Sequence, residues 1–364
     1  MKFRCERDLL AQALATATRA VSSRGGQLPV LSGLRVVLSD DELTLTGSDL
    51  DLTIEAHLQV AGEGAGQAVI PAKLLSDVVR ALEPGAVTVE VSEGDAEITG
   101  GRTQFSIRTI AAEEFPQLPE PSGEGHQLDA AHLATALRQV VPAASGDDSR
   151  PILTGVLFAA EAGGLRLVAT DSYRLALRDL PGTTILGDDQ SVLVPSRALS
   201  ELGRMLGDAE DLTLRLGERD ATFEFAGSRL TTRLIEGDFP NYRGLIPESH
   251  PNRMVTDRHA LHDAVRRVRL LAQESTPVRM TMTQGAVELV AITQDVGQAH
   301  ETIDANYEGE DLTVAFNAQY LLDGIEVTDG DEVELETVDA LKPALLHRVG
   351  DENFVYLLMP VRVP

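Results

Sequence analysis

The sequence predicts an α+β protein in which antiparallel sheet outnumbers helix, built from three copies of one small domain. An internal repeat and a strand-like alternation of apolar residues predict it. Pro29-Val30-Leu31-Ser32-Gly33 returns as Pro151-Ile152-Leu153-Thr154-Gly155, and in both copies a Ser/Thr-Asp pair (Ser48-Asp49, Thr170-Asp171) puts its Asp sixteen residues after the Gly. Ile70-Pro71-Ala72-Lys73 matches Val194-Pro195-Ser196-Arg197, and the Pro of a Phe-Pro (Phe115-Pro116, Phe239-Pro240) lies forty-five residues beyond each of those Pro residues. A fainter third copy has Pro277-Val278 ahead of Thr293-Gln294-Asp295, and Phe316-Asn317-Ala318-Gln319 at the Pro-containing step. A period fixes the architecture before any other reading. At about 120 residues each copy is a domain rather than a solenoid unit, with expected boundaries 1–124, 125–250 and 251–364.

Each repeat reads as two half-units of one amphipathic helix followed by strands. Arg7 to Ala20 carries Leu10, Leu14 and Ala17 at helical spacing, and Leu34 to Leu38 and Leu43 to Thr46 follow as strands. A second helix, Ala72 to Leu82, leads into strands at Val87 to Val91 and Gln104 to Ile107. Further helices are expected near 131–141, 196–206, 257–271 and 317–326. Leu212 to Leu216 and Val333 to Glu336 alternate apolar and polar residues, the pattern of a sheet with one buried and one wet face.

Composition narrows the class. Hydrophobic residues make up 43% of the 364 positions, enough for a core in each third. No apolar run approaches the roughly eighteen residues that span a bilayer, so no membrane partner is expected. Met1 to Arg7 leads straight into helix without the apolar stretch of a signal peptide. With Cys5 the single cysteine, no disulfide framework exists, and a reducing cytoplasm is the expected location.

A net charge of -26 argues against nucleic acid as a partner until its distribution is considered. The six predicted helices carry eleven basic residues (Arg7, Arg19, Lys73, Arg80, Arg138, Arg197, Arg204, Arg258, Arg266, Arg267, Arg269) against seven acidic ones, a net +4. Lys73 and Arg80 share a helix face, and Arg197 and Arg204 hold the same two positions one repeat later. Arg258, Arg266 and Arg269 line a stripe with His262 between them. Helices facing one side would give a positive lining on a negative body, concentrating phosphate there and repelling it elsewhere.

Five segments then resemble a known family, the bacterial sliding clamps that form the beta subunit of DNA polymerase III. They are Gly155 to Phe158, Ala169 to Ala176, Glu236 to Tyr242, Phe316 to Asp323 and Tyr356 to Arg362, in the family's order along the whole chain. The resemblance implies three clamp domains, each of two helices packed on antiparallel sheets. It further implies a head-to-tail homodimer whose ring closes around double-stranded DNA without reading sequence, tethering the replicative polymerase alpha subunit, the clamp loader and other proteins that carry short clamp-binding peptides. By position, Arg24, Lys73, Arg80, Arg138, Arg197, Arg204, Arg258 and Arg266 are the implied DNA contacts. The implied peptide pocket takes Leu153, Thr170, Tyr173, Arg174, Leu175, Pro240 and Leu245 from the second domain. From the third it takes Asn317, Tyr320, Leu341, Pro343, Met359, Pro360, Val361 and Arg362, with apolar walls for anchors and with Arg and Asn to orient the peptide. Phe105, Ile107, Leu270 and Leu271 are the implied dimer contacts. Ser172-Tyr173 stands where some members have Gly-His.

An enzyme is the competing class. Asp49/Asp51 and Asp147/Asp148 could be acid-base or metal pairs, but an Asp after Ser/Thr at a strand end is more often a turn-former. His259 and His262 lack the Glu and third ligand of a His-Glu-x-x-His zinc site. No phosphate-binding Gly loop or nucleophile elbow occurs, and nothing assembles nucleophile, base and oxyanion site. No catalytic residue, cofactor or metal is expected. The remaining alternative is a diverged second-copy clamp, or a repeat module that binds proteins in a non-replicative role.

Overall fold

Each repeat begins with a short strand that runs directly into a helix. The computed structural model describes residues 1–22, 28–92, 94–118, 120–161, 163–247, 249–272 and 276–362. In the first repeat β1 (Lys2–Glu6) enters α1 (Arg7–Thr18), followed by β2 (Gly33–Ser39), β3 (Glu42–Ser48), β4 (Leu52–Gln59), β5 (Ala61–Glu63) and β6 (Gly66–Pro71). Its second half is α2 (Ala72–Ala81), β7 (Ala86–Ser92), β8 (Asp95–Gly100) and β9 (Thr103–Arg108). The second repeat has β10 (Gly125–Asp129), α3 (Ala130–Val140), β11 (Gly155–Glu161), β12 (Gly164–Thr170), β13 (Arg174–Pro181) and β14 (Ser191–Pro195). Then come α4 (Ser196–Leu206), β15 (Asp211–Leu216), β16 (Asp220–Phe225) and β17 (Ser228–Arg233). The third has β18 (Asn252–Asp257), α5 (Arg258–Val268), β19 (Val278–Thr283), β20 (Ala286–Thr293), β21 (Gly297–Asp304), β22 (Asn306–Glu308) and β23 (Leu312–Phe316). It ends with α6 (Ala318–Val327), β24 (Glu332–Thr337), β25 (Ala344–Arg348) and β26 (Phe354–Leu358).

The repeated motifs are turn devices. Pro29–Ser32 and Pro151–Thr154 are single 3-10 turns, each closed by a hydroxyl donating to the Pro carbonyl, Ser32 to Pro29 and Thr154 to Pro151, both at 2.7 Å. The Ser/Thr-Asp pairs turn the chain into β4 and β13. Asp49 Oδ1 accepts the amides of Asp51 and Leu52 at 3.2 and 2.9 Å, and Asp171 Oδ1 accepts those of Tyr173 and Arg174 at 2.9 and 3.0 Å. The residue between is driven to positive φ, 80° at Leu50 and 83° at Ser172, and hydroxyls of Ser48 and Thr170 hold its amide. Asp49 and Asp171 thus serve as turn-formers.

Among the described residues, five helices lie within two residues of their expected ends, and the sixth, α5, stops three residues short of 271. α1 stops at Thr18 instead of Ala20, because the Thr18 hydroxyl bonds the Leu14 carbonyl and the amides of Arg19, Ala20 and Val21 turn to carbonyls three residues back. α5 likewise tightens to a 3-10 turn over Arg269–Leu271, and Asp257 caps its start by accepting the Ala260 amide at 2.7 Å.

The chain divides into two compact units, residues 1–133 with 201–234, and 134–200 with 235–364. The middle repeat is thereby shared between the units. In the first unit the sheets run β5-β1-β7-β8-β9 and β10-β15-β16-β17-β4-β3-β2-β6. Here the last strand of the second repeat pairs with β4 of the first, antiparallel from Ser228↔Ala56 to Thr232↔Leu52. In the second unit the sheets run β14-β11-β12-β13-β26-β25-β24-β18-β22 and β21-β20-β19-β23. There the last strand of the third repeat pairs with β13, from Arg174↔Leu358 to Arg178↔Phe354.

Alternation along these strands sends one side chain in two inward. Leu10, Leu14 and Ala17 of α1 join Leu34, Val36, Leu43 and Leu45 in one cluster with Leu75 and Val79 of α2. In the second unit Phe158, Phe316, Phe354 and Tyr356 are fully buried. Gly324 of α6 lies against that core, where an added Cβ would stand 2.6 Å from the Tyr356 ring. An exposed helical Gly→Ala change gains up to about 1 kcal/mol. Gly324→Ala should do the reverse and cost about 1–3 kcal/mol through overpacking, read as a lowered thermal midpoint.

Candidate functional site

The Thr170-Asp171 turn delivers Tyr173 and Arg174 to the start of β13, where β26 runs alongside. Arg174 Nε donates to Asp171 Oδ2 at 3.0 Å, while Nη1 donates to Asp323 Oδ2 and, at 3.1 Å, to the Tyr356 hydroxyl. Its guanidinium carbon lies 4.4 Å from the centroid of the Tyr320 ring, within cation–π range. Tyr356 in turn donates to the Tyr320 carbonyl at 3.1 Å, and Tyr173 stacks on Tyr320 with centroids 6.4 Å apart. Asp323 also accepts from Gln319. The chain after β26 is pinned by Met359 N–H to the Tyr173 carbonyl at 2.9 Å and Val361 N–H to the Ala315 carbonyl at 2.7 Å.

Burial fixes the charge states here. It opposes the Arg174 charge, but Tyr356, Asp323 and Asp171 outweigh it and hold the guanidinium pKa above its usual value. Burial pushes the Tyr356 phenol well up, with Arg174 partly offsetting, and Tyr320 is raised by burial as well. The result is a neutral hydroxyl bridging a buried cation and a backbone carbonyl, a rigid base beneath an aromatic pair of which Tyr173 is 59% exposed.

The residues expected in the pocket span three levels of burial. Leu153, Thr170 and Leu175 are buried, and the Thr170 hydroxyl donates to the Arg174 carbonyl at 2.6 Å. Tyr173, Pro240, Leu245, Leu341 and Arg362 are exposed, with Asn317, Tyr320, Pro343, Met359, Pro360 and Val361 half-buried between. Two further polar members already have tasks within the chain: Arg174 is engaged through Nε and Nη1 as above, and Asn317 Oδ1 caps α6 by accepting the amides of Gln319 and Tyr320 at 2.9 and 3.2 Å. Asp171, Asp323 and Tyr356, which organise the site, were not among the expected residues. A groove of about 440 Å³ lies beside Phe239 to Arg243, and of the expected pocket residues only Pro240 lines it.

Arg24 lies outside the described residues. Lys73, Arg80, Arg197 and Arg204 are exposed, and Arg204 pairs with Glu201 of its own helix. Lys73 and Arg80 have no ion-pair partner among the described residues. Three other basic residues also have intrachain partners: Arg138 bonds Asp329 at 2.6 Å and the Val327 carbonyl at 3.2 Å, Arg258 donates to the Gly330 carbonyl at 2.7 Å, and Arg266 lies 3.5 Å from Asp263. Of the expected dimer contacts, Phe105 is 36% and Leu270 84% exposed and Leu271 half-buried, whereas Ile107 is 3% exposed. Ile107 is corrected to a core residue, because it packs into the cluster beneath α2.

Family models for the N-terminal, central and C-terminal domains of the DNA polymerase III beta subunit match residues 1–119, 127–241 and 243–362. The chain belongs to the DNA polymerase III beta subunit family. It is therefore a processivity-factor sliding clamp and a non-catalytic subunit. The beta sliding clamps of Streptomyces coelicolor and Bacillus subtilis are 36% and 32% identical over 375 and 384 residues, covering 100% of both chains in each pair. The crystal structure of the Bacillus subtilis DNA polymerase sliding clamp superposes with a TM-score of 0.94 at 31% identity, and a Pseudomonas aeruginosa clamp bound to griselimycin does so with 0.94 at 28%, each with 100% of both chains covered. No helix among the described residues is long and apolar enough to cross a membrane.

The raised pKa of Tyr356 carries a sign. The fold favours the protonated phenol, so this contribution is intact below the ordinary tyrosine value of 10.0 and is lost as pH rises beyond it. The thermal midpoint should fall from pH 9 upward in the native chain. In Tyr356→Phe the fall should be shallower, with the remainder coming from Cys5, whose thiol burial pushes up to about 11, and from Tyr242, Tyr307 and Tyr320, whose pKa values are also raised.

Proposed function

We propose that two copies of the chain join head to tail in a ring around duplex DNA, and that the ring tethers the replicative polymerase and other peptide-bearing partners at the Tyr173–Tyr320 site. A strand-pairing rule carries this reading. Twice within the chain, the last strand of one repeat lies antiparallel to the strand that follows the Asp turn of the repeat before it: β17 on β4, and β26 on β13. The same rule leaves β9 and β21 to find each other in different copies, and each ends its sheet. An unpaired edge presents a row of unsatisfied backbone groups. Two dissimilar edges make a heterologous contact, which leaves no free edge of this kind only if the assembly closes. Exposed Phe105 on β9, and Leu270 and Ile292 in the third repeat, fit an apolar seam.

For DNA, Lys73 and Arg80 with their counterparts Arg197 and Arg204 are the leading contacts, because they are exposed and recur at the same two helix positions in both repeats. Sparse Lys and Arg on a strongly acidic chain suit weak, sequence-independent phosphate attraction, and topology then supplies the retention. At the pocket, Tyr173, Tyr320, Leu245, Leu341 and Met359 supply apolar surface for peptide anchors. Their base is already rigid, so little ordering cost falls on binding. Matches to all three domain models over the full chain favour the replicative reading over a diverged module.

The deciding experiment is retention on nicked circular DNA after loading by a clamp loader, before and after linearisation. Encirclement predicts loss when the circle is cut, and retention unaffected by the cut would overturn the ring. Charge reversal at Lys73, Arg80, Arg197 and Arg204 together should cut loading or retention by roughly an order of magnitude or more, most strongly at higher salt. Peptide affinity should stay unchanged in that variant.

Deletion of Met359 to Pro364 should abolish binding of polymerase-type peptides, read by fluorescence anisotropy, and leave the sedimentation of the dimer intact. Survival of peptide binding would move the pocket elsewhere.

A further inference from the structure

The second unit gathers a group of metal-ligating side chains away from the Tyr173–Tyr320 site. Glu334 and Glu336 stand two apart on β24 and so share a sheet face, and His347 of β25 is the direct cross-strand partner of Glu334. One ligand atom from each of the three lies within 4.8 Å of the others. The Nε2 of His347 is 3.1 Å from Glu336 Oε2. Its Nδ1 is 3.1 Å from the Arg348 carbonyl, a group that can only accept, so Nδ1 carries a proton. Nε2 is thereby turned toward the Glu336 carboxylate on the shared sheet face.

We propose that this cluster can hold a divalent transition metal of borderline softness, typified by Zn²⁺, through His347 Nε2, Glu336 and Glu334. Two ligand atoms at about 2.0–2.1 Å from zinc and at a near-tetrahedral angle lie about 3.1–3.4 Å apart, which the His347–Glu336 spacing satisfies. Each ligand also has an outer partner. Arg348 O orients His347, Arg253 donates to both Glu334 oxygens, from Nε to Oε1 and from Nη2 to Oε2 at 2.8 Å, and His250 Nδ1 lies 3.7 Å from Glu336 Oε2. A second layer of this kind fixes ring orientation and ligand basicity in metal sites. His250 Nε2 is buried with no hydrogen-bond partner among the described residues, while its Nδ1 faces Glu336. Arg253 neutralises one carboxylate, leaving one net negative charge for a dication, and the ligand side chains are only 6%, 24% and 15% exposed for Glu334, Glu336 and His347.

The test uses the full chain, stripped with chelator and titrated calorimetrically with Zn²⁺, with Co²⁺ absorption as a second probe. One site per chain is expected, weakened at least tenfold in His347→Gln and in Glu336→Gln and unchanged in His259→Ala. Circular dichroism of each variant checks folding, and Zn²⁺ should raise the thermal midpoint of the native chain but not of His347→Gln. Absence of a stoichiometric site, or equal binding by native and both variants, would overturn the proposal and leave His347 as a proton-bridged partner of Glu336.

Discussion

Antiparallel backbone pairing between repeats is the constraint on which the rest depends. Neither a single repeat nor a pair satisfies its own sheet edges: β4 needs β17, and β13 needs β26. Every buried backbone donor and acceptor must find a partner, so these junctions cannot be loose contacts between finished domains. They divide the middle repeat between two compact units and make a nine-stranded sheet from two repeats. The Arg174 site exists only because that sheet is continuous, since the Tyr356 that holds Arg174 stands on the partner strand.

The same continuity explains how polar groups are tolerated so close to the core. Arg174 has a side chain 11% exposed and faces Asp171 and Asp323, at 10% and 20%. Burying one charge alone would be severely unfavourable, and the triad with Tyr356 satisfies each member. The aromatic pair above it therefore rests on a base that is locked before any ligand arrives.

Local turn chemistry was legible in the sequence because it is written in adjacent residues. Pro29 to Ser32 and Ser48-Asp49 recur as visible motifs since their hydroxyls and carboxylates bond amides or carbonyls two to four residues away. The third copy is fainter, having Thr293-Gln294-Asp295 where the others have an adjacent Ser/Thr-Asp pair. Helices were legible from periodicity, except where Thr18 or the Arg269 turn tightened an end. The junction pairing was not legible, because backbone ladders carry little side-chain code. The commitment of Arg138 to Asp329, and of Arg174 to Asp323, joins residues far apart in sequence, and no periodicity points to it. Ile107 shares a sheet face with Phe105, two residues away, yet only Ile107 is buried, a difference that alternation along β9 does not foretell.

The two junctions inside the chain and the proposed one between chains use the same kind of strand pair but differ in how their partners meet. A covalent tether presents β17 to β4, and β26 to β13, at an effective concentration in the millimolar range or above, whatever the dilution. β9 and β21 have no such tether, so their closure rises and falls with the amount of protein. A ring assembled this way has its reversible gates at the intermolecular seams, and the intrachain seams act as permanent welds.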